Sequence, residues 1–311
     1  MKIKRIQFNR YGEPSQMYMG EYELPKLKGD EVMVQVRAAA INPLDWKQRQ
    51  GSMKLFMGRK FPKGIGNDFS GTVLSLGENE QDLQIGDEVF GTMDVKNPGA
   101  FAERLVTKSR YLTKKPAHIS FSEAACLPIP CTTSWAALFG KGEISRNSRV
   151  FINGCTGAVG SMAVQLAVAN GAYVVGTCGQ ASMEDARLNG VSQVFNYHDE
   201  GYLKGEEPFD LIFDTAGAMN VGRGLTMLKP KGRFIDINPT PKRMIRGMIS
   251  RRYKLVFATM ATQKLPEIAY LAAQGKLRSV IGSETSFAEA IEAITRVEKG
   301  SRTKGRAVIT F

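Results

Sequence analysis

The sequence predicts an α/β fold in which a small β-rich region is followed by a doubly wound parallel sheet. Three observations predict it. The first 118 residues read as short strands divided by glycine turns, which favours a small barrel or sandwich. After Pro128-Ile129-Pro130 strands and helices alternate, and a βαβαβ succession indicates a parallel sheet with crossover helices. A cluster of glycines stands directly between one of these strands and the helix after it.

The elements follow in order. Val32–Ala38 alternates as a strand with one wet face does, and Gly71–Gly77 repeats the pattern between glycines. Gly86–Gly91 reads as a turn feeding a short strand. Thr132–Phe139 reads as helix and Arg149–Asn153 as strand. Ala158–Asn170 is a helix with Val159, Met162, Ala163 and Leu166 on one face, stopped by Gly171. Ala172–Thr177 is the next strand, and Ser182-Met183-Glu184-Asp185 resembles a capping box opening a short helix that closes at Gly190. Strands follow at Gln193–Asn196, Asp210–Asp214 and Arg233–Ile237, with a helix over Val221–Leu228. The last stretch leaves that rhythm, with helices at Gln263–Gln274 and Phe287–Lys299 and strands at Ser279–Gly282 and Arg306–Phe311.

Composition narrows the function classes. A chain of 311 residues suggests about two domains, and 43% hydrophobic with 23% charged residues is ordinary globular usage. No stretch approaches the roughly 18 apolar residues of a membrane span. The opening MKIKRIQFNRYGE meets polar residues too early for a secretory signal, so a cytoplasmic protein without stable membrane insertion is expected. Cys126, Cys131, Cys155 and Cys178 form no CxxC pair and are expected to be reduced. With His118 and His198 as the two histidines, no metal site is expected.

A net charge of +12 and a pI near 9.5 invite a nucleic-acid or membrane reading. Much of the excess lies at Lys242, Arg243, Arg246, Arg251, Arg252 and Lys254, and again at Arg302, Lys304 and Arg306. No zinc finger, RNA-recognition signature or basic heptad array accompanies them, so no nucleic-acid partner is expected. A basic surface also attracts an anionic cofactor.

The glycine cluster is Gly154-Cys155-Thr156-Gly157-Ala158-Val159-Gly160, a GxxGxxG relative of the dinucleotide fingerprint. Glycines permit a tight turn and let a pyrophosphate approach without a Cβ in the way. The helix that starts there offers unpaired N–H groups and its positive dipole end. The plain alternative is a structural turn. A site for NADH usually carries Asp or Glu at the end of the second strand, on the adenine ribose. Here Gly176-Thr177-Cys178-Gly179-Gln180-Ala181-Ser182 carries none, which favours NADPH, although Glu184 and Asp185 would repel a phosphate nearby. Ser182 reads equally as a phosphate contact or a helix cap.

These residues resemble the medium-chain dehydrogenase/reductase superfamily, in its zinc-free quinone oxidoreductase branch. The likeness runs through Ala39-Ala40-Ile41-Asn42-Pro43-Leu44-Asp45-Trp46-Lys47, Gly66-Asn67-Asp68-Phe69-Ser70-Gly71 and Gly86-Asp87-Glu88-Val89-Phe90-Gly91. It continues in Leu127-Pro128, Thr133-Ser134-Trp135, the glycine loop, Val194-Phe195-Asn196-Tyr197 and Asp214-Thr215-Ala216-Gly217. The resemblance implies a GroES-like catalytic domain from residues 1–119 and 262–311, with a Rossmann domain at 120–261 inserted into it and the cofactor in the cleft. Homodimers are common among such proteins. Zinc-binding members carry a Cys near the Asn42 position, a GHE near Gly66 and a four-cysteine lobe; here Gly66-Asn67-Asp68 replaces the GHE and the lobe is missing.

The implied reaction is hydride transfer from NADPH to a quinone or an α,β-unsaturated carbonyl (an enone or 2-alkenal), which spreads the arriving charge by conjugation. The resemblance puts Asn42 and Thr133 near the nicotinamide end, and Lys47 where several relatives have Tyr as proton donor or enolate stabiliser. It assigns the pyrophosphate to Gly154, Thr156, Gly157, Ala158, Val159 and Gly160, and the adenine ribose to Thr177, Ser182 and Tyr197. Ile237, at the end of a strand, completes the cofactor set. The segment Lys242–Arg252 mixes cations with apolar residues. It reads as a cover over the pocket with Met244 and Met248 lining it, as a membrane-surface helix, or as a solvated helix with one buried side. The competing function is a non-catalytic NADPH-binding protein with a basic surface for RNA or membranes.

Overall fold

The computed structural model describes residues 1–199, 201, 203–238, 240–258, 261–301 and 304–311, without the side chains at 247 and 248. Arg302 and the side chain of Met248 lie outside the described residues. The chain divides into two compact units, Met1–Ile129 with Thr262–Phe311, and Pro130–Ala261.

The first unit starts with β1 (Lys2–Phe8), β2 (Met17–Glu23) and β3 (Glu31–Ala40), then the helices α1 (Pro43–Arg49) and α2 (Lys54–Met57). It continues with β4 (Lys63–Gly64), β5 (Asp68–Leu76), β6 (Glu88–Thr92), β7 (Arg104–Lys108), β8 (Leu112–Lys114) and α3 (Phe121–Ala125). The division between the units falls within α4 (Pro128–Trp135), which runs into a π-helical turn at Ala136–Lys141 in the second unit. Then come β9 (Arg149–Asn153), α5 (Ala158–Ala169), β10 (Tyr173–Cys178), α6 (Met183–Leu188), β11 (Gln193–Asn196) and β12 (Phe209–Asp214). That unit closes with α7 (Val221–Thr226), β13 (Leu228–Asp236), α8 (Pro241–Ile249) and β14 (Tyr253–Leu255). The chain returns to the first unit through α9 (Leu265–Ala273), β15 (Ile281–Ser286), α10 (Ala290–Glu298) and β16 (Arg306–Thr310).

The first unit is organised around β3. Its alternation buries Val32, Val34 and Val36 completely, each worth about 1.5–3 kcal/mol of apolar burial. The sheet runs β15-β16-β3-β5-β6-β8, with β7 also paired to β3, and β1 carries β2 and β4 in a smaller sheet. The C-terminal strand completes this sheet because Val308 and Ile309 pair with Ala40 and Ala39 and bury with them. Residues 120–129 also belong here, so the boundary expected at residue 119 falls short. Ser70 Oγ donates to Phe121 O at 2.6 Å, and Ala125 and Cys126 pack on Ala38, Ala40 and Val308.

In the second unit the sheet order is β11-β10-β9-β12-β13-β14, with every neighbouring pair parallel. Counted by appearance in the chain this is 3-2-1-4-5-6, the doubly wound order of the Rossmann fold. Helices cover both faces, so β9, β10 and β12 are buried almost throughout. The direction of winding reverses between β9 and β12, and in doubly wound sheets ligands bind outside the carboxyl ends of the strands at such a point.

Some local expectations shift. The helix expected to reach Leu228 ends at Thr226, because Leu228 is already buried as the first residue of β13. The strand expected at Ser279–Gly282 lies at Ile281–Ser286, displaced where its register on β16 slips between Ile281 and Ser283. Ser182 makes no side-chain cap on α6, since a 3-10 turn over Gln180–Ser182 enters the helix instead.

Candidate active site

The glycine loop leaves β9 at the switch point. Gly154, at φ +82°, turns the chain, and its N–H and that of Cys155 donate to Thr177 O at 3.2 and 2.9 Å. Thr215, after β12, donates from Oγ1 to Asn153 O at 2.7 Å and Gly154 O at 3.1 Å. Gly160 is where the helix crosses the loop: a Cβ there would lie 2.0 Å from Gly154 O. Gly157 differs. It is exposed, caps α5 without a side chain, and a Cβ there would still be 3.4 Å from Gly154 O. Its openness leaves room beside the N–H groups of Ala158, Val159 and Gly160, which have no helical acceptor. This is a cradle that fits a diphosphate.

Beside it, Ser134 Oγ donates to Val159 O at 2.9 Å and fastens α4 to the first turn of α5. Thr133, on α4, is 3% exposed and its Oγ1 has no hydrogen-bond partner. A buried hydroxyl left without a partner costs about 1–3 kcal/mol. Thr156, Ala158 and Val159 are half-buried around the loop, and Ile237 is half-buried after β13.

The carboxyl ends of the strands carry a polar chain. Thr177, Asn153, Asp214 and Asp236 stand side by side in register. Thr177 Oγ1 donates to Asn153 Oδ1 at 2.7 Å, and Asn153 Nδ2 donates to Asp214 Oδ1 at 2.8 Å. Arg243 of α8 donates to Asp214 and Asp236 from Nη1, and to Gly217 O and Met219 O from Nη2. Tyr253 OH donates to Asp236 Oδ2 at 2.6 Å. Both carboxylates are fully buried and need that cation. Burial and the Asp236 carboxylate push the Tyr253 hydroxyl far up from its ordinary pKa.

Thr177 is therefore fully buried and committed to Asn153, rather than open to a ribose as expected. Tyr197, 47% exposed, stacks toward His198 and lies against Gly179, where a Cβ would be 3.5 Å from its ring. Ser182 is half-buried on the same side. Arg187 is paired with Glu184 at 3.6 Å.

The first unit holds a second polar cluster. Asn42 is 2% exposed; its Nδ2 donates to Asp68 Oδ2 at 3.0 Å and its Oδ1 accepts from Arg306 Nη2 at 2.7 Å. Asp45 accepts from Asn42 N and Asn67 Nδ2 at 2.7 and 2.6 Å. Asp68 also accepts from Ile129 N. Burial pushes Asp45 up to about 7 and Asp68 up to about 8, against a pull downward from Arg306. Lys47 is exposed on α1, and the structure does not bring it to the Asn42 amide.

Sequence reasoning missed Asn153, Asp214 and Arg306 as organisers. Asn153 and Asp214 carried a signal, since each ends a strand at the switch point. Arg306 carried none, being 264 residues from Asn42.

Residues 28–117 match the family described as "Alcohol dehydrogenase GroES-like domain", and residues 189–309 match "Zinc-binding dehydrogenase". The chain is similar to a quinone oxidoreductase homologue of Spinacia oleracea chloroplasts, at 28% identity over 98% of this chain and 97% of that one. It is 30% identical to a mitochondrial NAD(P)H oxidoreductase of Mus musculus, over 90% of this chain and 81% of the relative. Among solved structures, the quinone oxidoreductase from Coxiella burnetii superposes with a TM-score of 0.89 at 29% identity, over 100% of both chains. The fold and site thus define a medium-chain dehydrogenase/reductase. Within that superfamily, the chain belongs to the quinone oxidoreductase branch.

The second matching family is named for zinc. Among the described residues no three His, Cys, Asp or Glu form a group able to hold an ion. Asp45 and Asp68 already accept from amides and backbone, and the four cysteines are buried in packing positions.

Proposed function

We propose that the protein transfers a hydride from NADPH to a quinone or an α,β-unsaturated carbonyl such as an enone or 2-alkenal, without zinc. The observation that carries this reading is the open Gly157 cap on α5, set at the switch point of a 3-2-1-4-5-6 sheet. Gly154, Thr156, Gly157, Ala158, Val159 and Gly160 would hold the pyrophosphate by backbone N–H groups and the helix dipole. Tyr197 would flank the adenine, with Ser182 beside the ribose, while Thr177 acts through Asn153. Ile237 would supply apolar contact, and the Thr133 hydroxyl would find its missing partner on the cofactor. When bound, the reduced nicotinamide supplies the hydride.

NADPH is preferred over NADH because no carboxylate follows β10 before Glu184 to accept from a ribose 2′-hydroxyl. In the first unit, Asn42 is proposed as a polar wall fixed by Arg306 and Asp68, and Lys47 as proton donor or enolate stabiliser. A quinone or enone delocalises the incoming charge, so positioning supplies most of the catalysis. Four buried reduced cysteines suit a reducing compartment, the cytoplasm in this proposal.

The test is loss of reduced-nicotinamide absorbance when the purified protein meets NADPH and a panel of quinones, enones and 2-alkenals. Turnover with members of that panel is expected. Binding of NADPH without turnover on any acceptor would overturn the catalytic assignment.

A further inference from the structure

The helix α8 is attached by the side that amphipathic helices usually leave in water. Advancing about 100° per residue, Met244, Ile245 and Ile249 fall on one arc and Arg243 on the opposite one. Arg243 points into the protein, onto Asp214 and Asp236. The apolar arc points out: Met244 is 46% exposed, Ile245 59% and Ile249 81%. An isolated exposed isoleucine needs no explanation, whereas a whole helical face turned outward by an ion pair marks an interaction surface.

Charge names the occupant. Lys242 and Arg246 lie one turn apart on the flank of the apolar arc, both exposed, and exposed Arg251 follows the helix. From Asp236 to Glu267 the chain carries seven Lys and Arg residues and no carboxylate between them. Apolar residues flanked by exposed cations, in a stretch of sequence without carboxylates, complement a surface that is greasy beneath and anionic at its rim. We propose that α8 docks this protein on an anionic phospholipid bilayer, with Ile245 and Ile249 at the headgroup–acyl boundary and Lys242 and Arg246 on lipid phosphates. No helix of the described residues is long and apolar enough to cross a membrane, so the association is peripheral. A single nine-residue helix gives weak, reversible binding. The surface does not depend on which acceptor the protein reduces.

The experiment is co-sedimentation of the full chain with vesicles of phosphatidylglycerol and phosphatidylcholine, against phosphatidylcholine alone, at low and high salt. Binding to the anionic vesicles is expected, weakened by salt. Ile245→Ser with Ile249→Ser changes no charge and should lower it at least about tenfold. Lys242→Gln and Arg246→Gln should each lower it about fivefold. Leu188→Ser, at a residue 78% exposed on α6, controls for surface apolarity and should leave binding unchanged. These sites are exposed, and an unchanged thermal midpoint verifies folding of each variant. The proposal is overturned if the wild type ignores anionic vesicles, or if the double isoleucine variant binds as well as it does. It is equally overturned if sedimentation velocity shows that variant dissociating a dimer, which would make a second copy the occupant.

Discussion

Two glycines of one loop do opposite work. Gly160 is required by packing: a Cβ 2.0 Å from Gly154 O meets backbone that cannot yield. Gly160→Ala should destabilise the protein by about 1–3 kcal/mol, read by urea unfolding. At Gly157 a methyl would meet only ordinary van der Waals distance, so the fold does not demand glycine there, and the proposed diphosphate supplies the reason for it. Gly157→Ala should keep its thermal midpoint while losing at least about tenfold in NADPH affinity, read by calorimetry. Thr133 offers a complementary test. Its buried Oγ1 has no partner to lose. Thr133→Val is expected to leave thermal stability unchanged and to lower kcat/KM, with Thr133→Ser restoring it. A stability loss without a kinetic one would assign the hydroxyl to the fold.

At the scale of elements, the alternation of strands and helices from Arg149 onward was legible because burial on both faces writes each strand as an apolar run. The first unit was legible at β3, whose burial alternates, and at β5 and β6 through the glycines that bound them. Its strands β1 and β2 escaped because their burial does not alternate cleanly. Ser182 looked like a cap because the right residue types stood in the right order, yet the preceding turn took its backbone elsewhere. The segment Lys242–Arg252 read as a mixture of cations and apolar residues, with no sign of which cations face inward. Arg243 and Arg252 are in fact spent on internal acceptors, which no local pattern reveals because those partners lie on other strands. Removing Arg243 would leave two buried carboxylates uncompensated. Arg243→Gln should cost about 3–5 kcal/mol in denaturant unfolding, and Arg243→Lys less. An Arg243→Gln protein as stable as wild type would contradict the ion-pair assignment.

For the whole molecule, the buried pair Asp45 and Asp68 sets a pH dependence. Their folded pKa values, about 7 and about 8, lie above the ordinary 3.8, so the folded protein holds these protons more tightly than the unfolded chain does. The stability they contribute is complete below their ordinary pKa and is lost as pH rises through about 7 to 8. Asp87, Glu143 and Glu267, shifted the other way, lose their contribution at acid pH, outside that window. The thermal midpoint should therefore fall as pH rises from about 5 to about 8, between the ordinary and the raised pKa values, where scanning calorimetry would detect it. A flat or rising midpoint would mean that both carboxyls ionise freely in the fold.

The proposed hydride transfer rests on a dinucleotide in the glycine loop. Isothermal titration of the folded protein with NADPH, and separately with NADH, tests that directly. The expected result is one site per chain, tighter for NADPH and weakened by Gly157→Ala. Absence of heat and of competition for either dinucleotide, from a protein shown to be folded, would contradict it.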